Sequence, residues 1–211
     1  MSILHVNAST RGAESQSFAV ADLFISNLQD KTGLTVDRYN LFEDKLPEFS
    51  KLAVGAKLAV FAGTEATEEQ NTAWQEVKNV FDRFAAADTY VFNVPLWNNG
   101  IPYVLKQFID IVTQPGLSFG FDMEKGYIGM MKGKRALVVH ASGVYYEGVP
   151  ATFGSDFSTP YLNDWFKLLG IDNVEHIYVS PTVVNPDFAK TKANAEAQAR
   201  NLAAQWSESN K

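Results

Sequence analysis

The sequence predicts an α/β fold of the doubly wound kind, a parallel five-stranded sheet with helices on both faces, and three observations lead there. The chain opens on a short apolar run, Ile3 to Val6, that passes through a polar loop into a helical pattern. Further runs at 34–41, 89–94, 134–141 and 174–179 are strand-length and carry β-branched or aromatic residues. Between them apolar residues recur at helical spacing, and strands that alternate with helices build parallel sheets. At 211 residues the chain reads as one domain, 1–211, with insertions near 42–66 and 115–132.

Composition narrows the function. A hydrophobic content of 46% supplies a sizeable core, while the absence of cysteine excludes disulfides, thiolate nucleophiles and Cys-based metal sites. A net charge of −6 without any Lys/Arg block argues against nucleic acid or an anionic membrane as partner. No stretch approaches the roughly 18 apolar residues of a membrane span, and no basic leader precedes the first strand. The expected location is cytoplasmic.

After the first strand, residues 7–17 form a small, hydroxyl-rich loop, and Val20, Leu23, Phe24 and Leu28 then mark one face of a helix. A loop feeding a helix N-terminus offers free N–H groups and the positive end of the dipole, and with the hydroxyls of Ser9, Ser15 and Ser17 it suits a phosphate. Ser15 or Ser17 reads equally as a helix N-cap, and Arg11 as an added charge or a solvated loop residue. Strand two, Leu34 to Leu41, lacks the acidic residue of a dinucleotide fingerprint, and its Gly-x-Gly-x-x-Gly pattern is missing after strand one. Residues 42–66 read as a loop plus a short helix over Lys51–Ala62. Thr67-Glu68-Glu69-Gln70 fits a capping box, and Trp74, Val77, Phe81 and Phe84 mark the buried face of the helix it opens.

The informative stretch is 90–110. A buried strand ends at Pro95-Leu96, Trp97-Asn98-Asn99-Gly100 makes a tight loop, Pro102 takes the first helical position, and Leu105, Phe108, Ile109 and Val112 follow as an apolar face. Lys106 and Asp110 form a solvent-facing pair. Loops at the carboxyl ends of strands are where such sheets bind ligands. Backbone N–H groups, two amides and one large ring suit a planar, hydrogen-bonding heterocycle such as a flavin. Pro115-Gly116 ends the helix, and Leu117 to Phe121 has the period of a hairpin strand. Strand four, 134–141, leads into Ser142-Gly143-Val144-Tyr145-Tyr146. A helix over 158–169 stops at Gly170, strand five is 174–179, and Ala195, Ala199, Leu202 and Trp206 stripe the last helix.

Pro95-Leu96-Trp97-Asn98-Asn99, then Ile101-Pro102 and Leu105-Lys106-Gln107-Phe108-Ile109-Asp110, resembles the flavin loop of the FMN-dependent NAD(P)H azoreductase and quinone reductase family. The resemblance runs along the whole chain, and Thr159-Pro160-Tyr161-Leu162 looks like a helix of the same family. It implies a flavodoxin-like strand order, 2-1-3-4-5, and a homodimer that passes electron pairs from NADH or NADPH through bound FMN to quinones or azo compounds. It further implies that Ser9, Ser15, Gln16 and Ser17 take the FMN phosphate. Pro95, Leu96, Trp97, Asn98 and Asn99 then border the ring, with Ser142 and Gly143 at its pyrimidine end. Phe119 and Phe121 by the same resemblance join the substrate pocket, with edge-strand packing as the other reading, and Tyr145 and Tyr146 are candidates for the pocket wall, with surface or dimer packing as the alternative. The chain departs from the family at Ala141-Ser142-Gly143-Val144, where Ser-Arg-Gly-Gly is usual, and at Asn99, where an aromatic ring is common. No catalytic side chain is implied, because the flavin carries the chemistry.

Two other readings stand beside this one. A flavodoxin-type one-electron carrier shares the fold but is usually shorter. A hydrolase would pair Ser9, Ser15 or Ser142 with His5, His140 or His176, although no Gly-x-Ser-x-Gly elbow is present. Three scattered histidines form no metal-ligand set.

Overall fold

The structure, a computed structural model, describes residues 2–209 apart from the side chains at positions 60 and 61. In chain order the elements are β1 (Ser2–Asn7), α1 (Gln16–Thr32), β2 (Thr35–Asn40), α2 (Lys51–Ala62), α3 (Glu68–Ala86), β3 (Thr89–Pro95) and α4 (Tyr103–Val112), then β4 (Phe119–Asp122), β5 (Gly126–Gly129), β6 (Arg135–Ala141), α5 (Ser158–Leu169), β7 (Asn173–Val179) and α6 (Phe188–Glu208). Five strands form one sheet in the order β2-β1-β3-β6-β7, and every pairing in it is parallel. With the β4–β5 hairpin set aside, this is the expected order 2-1-3-4-5.

Both faces are covered, which is why β3 is an almost unbroken buried run rather than an alternating one. Leu4, Val6, Tyr90, Phe92 and Val138 pack on one side with Phe84, Phe108 and Phe166 of α3, α4 and α5. Ile3, Val91, Leu137 and Ile177 pack on the other with Val20, Phe24 and Leu28 of α1 and Ala195, Ala199 and Trp206 of α6. Because α1 lies against both the sheet and α6, its buried arc is wide: Ala21 and Ile25 are inside it and Leu23 is only half-buried. On α6 Ala203 is buried while Leu202 is intermediate, small side chains lining the approach to α1. Trp74 is likewise half-buried.

Local signals hold at the helix ends. The Thr67–Gln70 capping box is formed in both directions. Pro102 is the N-cap of α4, with extended ψ of 143°, and not its first helical residue; its missing N–H costs nothing there. β4 and β5 pair as an antiparallel hairpin apart from the main sheet. The hairpin is seated on the end of α5: a Cβ at Gly129 would overlap the backbone of Leu169 and Gly170, and the Met131 amide donates to the Leu169 carbonyl at 2.8 Å. Among the described residues no helix is long and apolar enough to cross a membrane.

Candidate functional site

The loop after β1 and the first turn of α1 make a buried polar pocket. Ser9, Ser15 and Ser17 are all nearly inaccessible. Ser15 caps α1, its Oγ accepting from the Phe18 amide at 3.2 Å, and lies 3.3 Å from Ser17 Oγ. The amides of Gln16 and Ser17, first in the helix, have no carbonyl to bond within α1. The Gln16 Oε1 oxygen is buried without a partner. A cavity of about 200 Å³ opens here, lined by Ser9, Arg11, Ser15, Gln16 and Ser17 on one side and by Pro95, Leu96, Trp97, Ala141, Ser142 and Gly143 on the other, with Thr182 and Val183. Arg11 is mostly exposed and 3.8 Å from Glu14. The N-cap and anion-site readings of this loop therefore coexist: Ser15 caps, and Ser17 with two free amides remains for a ligand.

The loop after β3 is a two-residue turn. Trp97 and Gly100 exchange both backbone hydrogen bonds at 2.9 Å, with Asn98 at φ 48° and Asn99 at φ 66°. Such a turn needs two left-handed residues in succession, and after glycine asparagine enters that region most readily. Asn99 also anchors the segment ahead of α5: its Oδ1 accepts from the Ser155 amide at 3.3 Å and its carbonyl from the Phe157 amide at 2.8 Å. Asn98 and Asn99 are both exposed and line neither cavity of the site. The Trp97 ring is backed by Phe42, centroids 5.8 Å apart, and Phe42 by Tyr103 at 5.9 Å.

Beside this lies a second cavity of about 410 Å³, lined by Leu96, His140, Ala141, Ser142, Tyr145, Tyr146, Glu147, Asp156, Thr159, Pro160, Tyr178 and Ser180. Leu96, Ala141 and Ser142 border both cavities, which form one cleft along the carboxyl ends of the central strands. The β3–β6 register brings the two loops together, because Pro95 pairs with Ala141 and the Leu96 amide donates to the Ala141 carbonyl at 2.7 Å. Ser142 Oγ donates to the Tyr145 carbonyl and tightens its own loop. His140 Nε2 is 2.9 Å from His176 Nδ1, and His176 Nε2 is 2.8 Å from Asn163 Oδ1. The His140 ring stacks on Tyr178 with centroids 4.8 Å apart. Burial, aided by His176, pushes the His140 pKa from 6.5 down to about 3, so this imidazole is neutral. Among the described residues no serine hydroxyl bonds a histidine, and a hydrolase reading lacks its activated nucleophile.

Ser9, Ser15, Gln16, Ser17, Pro95, Leu96, Trp97, Ser142, Gly143, Tyr145 and Tyr146 thus converge on one cleft. Phe119 and Phe121 lie outside both linings; their rings pack on Tyr127 at 5.5 and 5.2 Å, and Phe121 is 63% exposed. Sequence reasoning missed Asp156, Thr159, Tyr178 and Ser180. One signal existed for Asp156, which caps α5 by accepting from the Ser158 and Thr159 amides at 2.8 and 2.9 Å.

Comparison with known proteins gives the setting of this cleft. Residues 1–203 match the family described as flavodoxin-like fold. An FMN-dependent NADH:quinone oxidoreductase of Ruegeria pomeroyi is 41% identical over 186 residues, 88% of this chain and 91% of that protein. One of Nitratidesulfovibrio vulgaris is 39% identical over 208 residues, 97% of this chain and 99% of that protein. Among solved structures, an FMN-dependent NADH-azoreductase of Bacillus anthracis in complex with FMN superposes with a TM-score of 0.86 at 26% identity, covering 98% of this chain and all of the other.

Proposed function

We propose that this chain, which belongs to the flavodoxin-like family of FMN-dependent NADH:quinone oxidoreductases, binds FMN in the cleft and passes electron pairs from NADH to quinones and azo compounds. The observation that carries this is the continuity of the cleft: a buried serine-lined helix N-terminus opens directly into a slot between the loops after β3 and β6. The residues fit the cofactor. Ser9, Ser15, Gln16 and Ser17 with the free amides of α1 would hold the phosphate, and the partnerless Gln16 oxygen would take a hydroxyl of the polyol chain. Pro95, Leu96 and Trp97 would border the ring, Asn98 and Asn99 would hold the turn that presents them, and Ser142 and Gly143 would border its far edge.

When bound, FMN supplies the two-electron chemistry between donor and acceptor. The chain's own part is binding and exclusion of water: Leu96 and Trp97 form an apolar wall, and Tyr145 and Tyr146 flank the neighbouring space. That space favours an enzyme over a one-electron carrier, since a cavity of about 410 Å³ beside the ring slot admits a flat acceptor. Donor and acceptor use the one open site in turn. The segments 42–66 and 115–132 are read as insertions, Phe42 of the first backing Trp97 from behind, and a cytoplasmic location belongs to the same reading.

We further read the chain as a homodimer in which the hairpin reaches the other copy's acceptor space. Supporting this, Phe121, Met123 and Tyr127 are 63%, 90% and 64% exposed, an apolar patch with no partner in the isolated chain. The test of the function is a spectrum of the purified protein with added FMN. NADH bleaches the flavin band under anaerobic conditions and a quinone restores it; a protein that takes up no flavin would overturn the reading.

A further inference from the structure

Toward the carboxyl ends of β1 and β3, the sheet face that packs on α1 changes character. Ile3 and Val91 are apolar, but His5, Asn7 and Asn93, next along the same face, are polar and at most 6% exposed. Register sets His5 opposite Arg38 of β2 and Asn7 opposite Asn93. The four make one hydrogen-bonded line: Arg38 Nη1 to His5 Nδ1 at 3.0 Å, His5 Nε2 to Asn93 Oδ1 at 2.9 Å, and Asn93 Nδ2 to Asn7 Oδ1 at 2.7 Å. Its inner end meets the polar loop, where the Ser9 amide donates to the same Asn7 Oδ1 at 3.0 Å. Its outer end is held on the surface, where Arg38 Nη2 donates to Asp22 of α1 at 2.6 Å.

A guanidinium only donates, so it assigns every proton in the line. His5 Nδ1 must accept; Nε2 therefore carries the hydrogen and gives it to Asn93 Oδ1, and the Asn93 amide gives to Asn7 Oδ1. The groups facing His5 are Arg38, Asp22, Asn93 and the Phe18 ring, 5.3 Å away in the first turn of α1. A protonated His5 would set two donors against each other at Arg38. Burial above all holds its pKa near 4, and the ring stays neutral. Apolar residues would fill these positions without the desolvation that buried amides and imidazoles suffer, as they do one step back along both strands. What the polar set gains beyond its own pairing is a grip on the loop, at Ser9 through Asn7 and at Phe18 through His5.

We propose that the Arg38–His5–Asn93–Asn7 line is a positioning device that sets the phosphate loop before the cofactor arrives, so that Arg38, half-exposed on β2, acts on FMN affinity without touching FMN. The inference rests on the FMN reading above, and one experiment separates the two. Apoprotein of the full chain is titrated with FMN and with riboflavin, which lacks only the phosphate, following flavin fluorescence. Removing Arg38 in Arg38→Met, or the ring in His5→Leu, weakens FMN about tenfold and riboflavin less than about twofold, the size of one misplaced hydrogen-bonded contact. Arg38→Lys, which keeps a donor, recovers most of the FMN affinity.

Equal losses for both flavins would mean general loosening and would overturn the positioning role, as would no loss for either. Wild-type protein that binds neither flavin fails the FMN reading itself. Independently of any flavin, nitrogen shifts of His5 report a protonated Nε2 in the wild type; a protonated Nδ1 would overturn the assigned line.

Discussion

Two buried neutral histidines sit near the carboxyl edge of this sheet on opposite faces, and they are wired differently. His5 is bonded to a cation that only donates, and its line runs in one direction to the loop proposed to hold phosphate. His140 is bonded to another histidine and, through it, to the Asn163 amide. Either ring can donate in that pair, and an amide serves as donor or acceptor by turning over, so both directions are open. The difference teaches what each half of the cleft has to do. A site for one constant anion benefits from hydrogens held in fixed places, whereas a chamber for varied acceptors benefits from a wall that offers a donor or an acceptor at the same energy.

The contrast can be broken from either side. Ser17→Asp places a carboxylate where the phosphate belongs, in a residue only 1% exposed, and FMN affinity should fall by a factor of about a thousand. An acid in the first turn of α1 suits the helix dipole, so circular dichroism should stay unchanged; unaltered FMN affinity would remove this loop from the site.

Acid sharpens the comparison. His5 is shifted from 6.5 to about 4 and His140 from 6.5 to about 3, so both folded groups refuse protons that the unfolded chain accepts. Their contribution to stability is full above pH 6.5 and drains as pH falls toward 4 and then 3, at up to about 1.4 kcal/mol per pH unit for each ring. Urea midpoints at pH 7 and pH 5 measure it, and His140→Leu should reduce the slope by one ring's share.

A smaller effect lies in the turn after β3, beside the cleft. Asn99→Phe puts a bulky ring in place of the short amide that tolerates φ 66° and removes the bond to Ser155, for about 1–2 kcal/mol of stability. Flavin content should remain near normal while preference among quinone and azo acceptors changes, read from kcat/KM across a small panel. Lys106→Met is the control outside both halves: it and its partner Asp110 are each about half-exposed, and the unfolding free energy should change by less than about 0.5 kcal/mol.

Much of this was legible in the sequence because it is local. The Thr67–Gln70 cap, the β-branched strands and the hydroxyl-rich loop ahead of α1 each depend on neighbours a few residues away. The site loops were legible for the same reason, being short strings of suitable side chains at strand ends. What escaped depends on contacts across the sheet. Arg38 is an ordinary strand charge until β2 is known to lie beside β1, and His140 meets His176 only through the β6–β7 register. Phe119 and Phe121 alternate as a strand should, yet periodicity says nothing of where a separate hairpin is set down. Pro102 differs by one position, because a proline before the first helical turn serves as N-cap or first residue with the same local chemistry.

The meeting of Gly129 with the end of α5 makes that helix a rod between two distant tasks. Its far end is clamped to the hairpin where no side chain fits between the backbones, and its near end carries Thr159 and Pro160 in the wall of the larger cavity. The two ends are about 18 Å apart, the length of a helix of 12 residues. A side chain at position 129 would have to displace that end of α5, so one substitution in the hairpin would reach the cavity wall through the helix and not through any contact of its own.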